Sequence, residues 1–79
     1  MTNLEIYNAV FAEVFGVDTA VLNDDFSKDT VDNWDSVHQL NIITLLEEKF
    51  DLMLDPEDIM ECTSYAEGKK ILAKYDIAL

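Results

Sequence analysis

The sequence has no arginine, one cysteine, one histidine, one proline and two glycines among its 79 residues. Each shortage excludes something. Without arginine, five lysines face seventeen aspartates and glutamates, and the formal net charge is −12. A field of that sign repels phosphate backbones and anionic lipid headgroups, so neither nucleic-acid binding nor membrane-surface binding is expected. Partners are expected to be proteins with basic patches. The lone Cys62 closes no internal disulfide and, close to apolar Met60, reads as a buried structural thiol. The lone His38 has no cysteine or second histidine at ligand spacing, which excludes zinc. Two separate glycines make no phosphate-cradling loop. No apolar run approaches about 18 residues, and no basic segment leads into one. A cytoplasmic protein without membrane insertion is therefore expected.

The acidic stretch from Asp24 to Asp35 invites comparison with a calcium loop. If Asp25 opened it, the turn glycine would fall on Thr30 and the closing glutamate on Ser36, and both are wrong. No metal site is expected. Ser36 and His38 stand two positions apart on one helix and point in different directions, so they form no nucleophile–base pair. A chain this short also lacks material for a deep pocket. The protein is not expected to be an enzyme.

What the sequence does contain is helical periodicity punctuated by caps. Thr2 and Glu5 fit a capping box that opens a helix over Asn3–Phe15, with Leu4, Tyr7, Val10, Phe11, Val14 and Phe15 on one face and Gly16 as its stop. Residues 17–35 form a long connection whose Val17, Val21, Leu22, Phe26, Val31 and Trp34 can pin it to a core, with a short helical turn near Ala20–Leu22. Asp35 caps a second helix over Ser36–Phe50. Gln39, Ile42, Ile43, Leu46 and Phe50 face inward; Val37, Asn41, Thr44 and Glu48 face outward; Leu40 lies between. Asp55 caps a short third helix, with Pro56 at its first position and acids in its first turn. Ser64 and Glu67 fit a second capping box for a last helix that turns Tyr65, Ile71, Leu72 and Tyr75 inward, with Gly68 marking the close approach of another helix. The expected fold is an all-α bundle of four helices, three longer and one short, in a single domain over residues 1–79.

Asp35-Ser36 alone is only a helix start. The run from Trp34 through Phe50, however, resembles the second helix of acyl carrier proteins, in which an Asp-Ser-Leu motif is followed by apolar pairs and an acidic pair before an aromatic. Asp35, Ser36, Leu40, Ile42, Ile43, Leu46, Glu47, Glu48 and Phe50 match. The Phe15-Gly16-Val17 helix end, the Pro56 helix and Thr63 stand at their usual places, so the resemblance covers nearly the whole chain. It implies that a phosphopantetheinyl transferase esterifies Ser36 with 4′-phosphopantetheine from coenzyme A. The arm then carries acyl groups as thioesters between acyl-loading and acyl-processing enzymes with basic docking patches, the carrier itself being a monomer. The implied partner-facing residues are Trp34, Asp35, Val37, His38, Leu40, Asn41, Thr44, Glu47 and Glu48. Trp34 has two readings, an aromatic anchor for a partner or a ring folded inward to close the loop.

The chain also departs from the family's pattern. Val37 stands in place of leucine after the serine, His38 and Asn41 replace acids common on the partner face, and Val31-Asp32-Asn33-Trp34 replaces the usual leucine-glycine. A Trp-Asp-Ser start looks more like dedicated carriers of specialised biosynthesis than the housekeeping carrier of fatty-acid synthesis. The alternative from another class is a helical interaction module of the same fold that is never modified.

The charge carries its own test. Self-repulsion destabilises the compact state, and salt screens it over a Debye length of about 8 Å at 0.15 M. The thermal midpoint should rise with sodium chloride and rise more per mole with magnesium chloride; a midpoint flat across that range would refute the repulsion.

Overall fold

In the computed structural model, which describes residues 2–79, the first helix begins where its cap requires. Thr2 Oγ1 accepts from the Glu5 N–H, the Glu5 carboxylate accepts from the Thr2 N–H, and α1 runs Asn3–Phe15. Gly16 closes it at φ 64°, a left-handed turn that glycine adopts without Cβ strain, and donates its N–H to Ala12. A 3-10 turn follows at Thr19–Val21, capped by Asp18. Then come α2 at Ser36–Phe50, α3 at Pro56–Glu61 and α4 at Tyr65–Lys74. Among the described residues the only extended pairing is an isolated bridge between Ser27 and Ser64. The fold is the all-helical bundle that the periodicity predicts.

Two local expectations are corrected. Asp55 starts α3 with extended backbone, but its side chain makes no capping bond. Its N–H instead donates to Tyr75 Oη at 3.2 Å, so α3 begins against α4 rather than on a self-made cap. At Ser64 only half of the capping box forms. Ser64 Oγ accepts from the Glu67 N–H at 2.9 Å, while the Glu67 carboxylate turns to Lys70 at 3.4 Å. The residues flanking Ser64 are drawn into pairing with the long loop: Lys28 N–H donates to Thr63 and Tyr65 N–H donates to Phe26, each at 2.9 Å.

Those two bonds explain why nearly twenty residues of connection can be ordered. The loop is tied to the α3–α4 junction by backbone and to the core by Phe26 and Trp34, both buried. Tyr7, Val10, Phe11 and Phe15 of α1, Ile42, Ile43 and Leu46 of α2, and Tyr65, Ile71 and Leu72 of α4 complete one core with Leu54 and Cys62. Burial pushes the Cys62 thiol up to about 12, with a smaller push from Glu67, so it stays protonated and inert. Phe50, expected inside, lies only half-buried at the core's edge.

Gly68 sits where α4 crosses the Tyr7 ring. A Cβ there would lie 2.2 Å from Tyr7 Oη and 3.1 Å from Cζ. Tyr7 cannot step aside easily, because it is wholly buried and its hydroxyl donates to the Tyr65 carbonyl. Gly68→Ala should therefore destabilise by about 1–3 kcal/mol, although alanine is the better helix former. Tyr7→Phe removes the obstructing oxygen. A denaturant double-mutant cycle should show the pair costing less than the sum of the two single changes.

Asp58 is the only buried acid among the described residues, and it ties α3 to α4. Lys74 donates to Oδ1 and the Tyr75 hydroxyl to Oδ2. These bonds, Lys74 first and Tyr75 second, hold the Asp58 carboxyl below the usual carboxylate range. A lowered pKa gives stability that is complete above the unfolded value, near about 4, and lost as pH falls through the folded one. Asp58→Asn should thus lower the denaturation midpoint at neutral pH. Its gap to the parent should narrow steadily from about pH 5 to pH 2; a gap constant across that range would refute the tie.

Candidate functional site

The start of α2 gathers the residues that the sequence singles out. Asp35 takes extended backbone (φ −111°, ψ −176°), and its Oδ1 accepts the His38 N–H at 2.9 Å. The same oxygen meets His38 Nδ1 at 2.7 Å. The backbone bond and then the side-chain bond from His38 hold the Asp35 carboxyl below its usual range, with a smaller contribution from the Val37 N–H. His38 is itself held, because its ring stacks on Phe15 at 5.5 Å between centroids and 12° between planes. Between the two lies Ser36, the first helical residue, exposed to solvent. The positive end of the helix dipole makes that position receptive to an anion.

A groove of about 390 Å³ opens beside Ser36. Trp34, Gln39 and Leu40 form one wall, Ile59 and Met60 of α3 another, and Lys28 supplies a cation. Gln39 bolts the walls together: it accepts from Trp34 Nε1 at 3.2 Å and donates to the Ile59 carbonyl at 2.9 Å. A second groove of about 320 Å³, along Ile6, Val10 and Lys49, shares no residue with the first.

The structure sorts the expected partner-facing residues into three groups. Val37 and Leu40 are exposed at 62% and 55%, and Asn41, Thr44 and Glu48 lie exposed with them. Asp35 and His38 are exposed or half-buried but bonded to one another. Trp34 and Glu47 turn inward. Of the two readings of Trp34, the inward one holds: the ring is 5% exposed and packs 4.9 Å from Phe15. Glu47 is half-buried and accepts the Leu54 N–H at 2.9 Å, which secures the turn into α3. Met60, 76% exposed on the groove's lip, and Lys28 were not singled out. Both reach the site from distant sequence, and no local pattern marks them.

Among the described residues no group of three metal-ligating side chains comes together, and no helix is long and apolar enough to cross a membrane. A family model described as a phosphopantetheine attachment site matches residues 8–67, from α1 into α4. Comparison with curated proteins finds no match.

Proposed function

Because the chain belongs to the phosphopantetheine-attachment family, we propose that Ser36 is the residue that takes the arm. Membership makes the protein a carrier rather than a catalyst, holding 4′-phosphopantetheine covalently and interacting with a phosphopantetheinyl transferase and with biosynthetic enzymes. The observation that supports Ser36 is its position. It is exposed at the first turn of α2 and opens onto the groove. A phosphodiester there meets the positive end of the helix dipole. Trp34, Leu40, Ile59 and Met60 offer apolar surface to whatever extends from it. When bound, the arm supplies a terminal thiol that holds an acyl group as a thioester. The chain's own residues position and shelter it, and partner enzymes perform the chemistry.

The surface around Ser36 supports a dedicated pathway. Val37, Leu40 and Met60 are exposed apolar groups, His38 and Asn41 bring no negative charge to their positions, and Glu47 is turned to Leu54. The face that meets enzymes is thus less acidic than the net charge of −12. Enzymes that read a strongly acidic helix would dock poorly, and enzymes offering an apolar contact would dock better. We read residues 1–79 as a single cytoplasmic domain acting as a monomer; the core shared by α1, α2 and α4 supports the first of these.

Incubation with coenzyme A, magnesium and a broad-specificity transferase should raise the intact mass of the parent by one phosphopantetheine. Ser36→Ala should gain nothing. Modification that persists in Ser36→Ala, or maps to Ser27 or Ser64, would overturn the assignment.

A further inference from the structure

We propose that His38 is a positioning residue for the attachment reaction, locking Asp35 so that its second carboxylate oxygen stands fixed beside the Ser36 hydroxyl. This rests on Ser36 being the attachment residue. An exposed N-cap aspartate is ordinarily held by one backbone bond and remains free to change rotamer. Asp35 is 62% exposed at its side chain, yet Oδ1 is met twice, by the His38 N–H at 2.9 Å and by Nδ1 at 2.7 Å. Neither bond uses Oδ2. The histidine is not free to swing away, because its ring lies flat on Phe15, which is 6% exposed and belongs to the aromatic core. The orientation of the carboxylate is thereby inherited from α1.

The reaction gives that orientation a use. Ser36 Oγ attacks the phosphorus of coenzyme A that bears the pantetheine, and its proton passes to a base on the transferase. The new Oγ–P bond forms as the P–O bond to the second phosphate breaks, and adenosine 3′,5′-bisphosphate leaves. The incoming diphosphate is anionic and must approach a carboxylate one residue away, so a cation has to stand between them. Magnesium is held in this way, by one or two carboxylates together with substrate phosphates. The oxygen that His38 leaves unused suits such an ion, since an immobilised ligand loses no rotamer freedom when the ion arrives. An acid in place of His38 would repel Asp35 rather than hold it.

Two substitutions separate the hydrogen bond from the stack. Asparagine places an amide N–H where Nδ1 stands and loses the ring; phenylalanine keeps the ring on Phe15 and loses the donor. The test is phosphopantetheine transfer from coenzyme A to the full chain by a broad-specificity transferase, at constant ionic strength over a magnesium series. His38→Phe should lower kcat/KM about tenfold, the scale of one hydrogen bond to a charged group. It should also raise the magnesium concentration giving half-maximal rate, with its thermal midpoint showing it folded. His38→Asn should rescue, lying closer to the parent than to His38→Phe in both quantities. Three proteins with the same magnesium requirement, or an asparagine variant as impaired as the phenylalanine variant, would overturn the proposal while leaving Ser36 assigned. A parent that gains no mass would overturn both.

Discussion

The ring of Phe11 is wholly buried, and α1, the long loop and α4 meet there. It lies 4.9 Å from Tyr7 on its own helix, 6.2 Å from Phe26 and 6.0 Å from Trp34 in the long loop, and 5.5 Å from Tyr65 at the start of α4. Edge-on and tilted contacts at these separations add to the area they bury. A domain of this size has one core and no disulfide to fall back on. Emptying the space of one buried aromatic costs about 3–5 kcal/mol, against a total stability on the order of 5–15 kcal/mol. Burying an unpaired carboxylate would exceed that margin, and among the described acids only Asp58, bonded to Lys74 and Tyr75, is buried.

The start of α2 and the groove beside it take their geometry from this cluster through two short relays. In one, Phe15 carries the His38 ring, and His38 holds Asp35 beside Ser36. In the other, Trp34 packs on Phe11 and Phe15, donates to Gln39, and Gln39 donates to Ile59 on α3. The first relay orients the helix start; the second sets the spacing of the groove walls. Asp58 closes the far side by joining α3 to Lys74 and Tyr75. A six-residue helix has little stability of its own, so α3 stands where Gln39 and Asp58 hold it. This arrangement suits a carrier. Ser36 stays exposed on a capped helix end, and the short α3 forms the opposite wall of the groove.

The parts of this architecture that could be read from the amino-acid sequence are those whose causes are local. The bounds of α1 and α2, the Thr2–Glu5 capping box, the stop at Gly16, the Asp35 cap and the inward face of Ile42, Ile43 and Leu46 all follow from groups within four residues of one another. The place of Ser36 at the head of α2 was legible for the same reason. Gly68 pointed to a close approach without naming Tyr7. Tertiary packing alone decided the rest. It turned Trp34 inward, gave Glu47 to Leu54, brought Lys28 and Met60 to the groove, laid His38 on Phe15, and paired the Asp55 N–H with Tyr75. Each of those outcomes depends on which of several possible partners comes within about 3–5 Å once the chain is folded. That choice is made by the shape of a shared core, and no spacing along the chain encodes it.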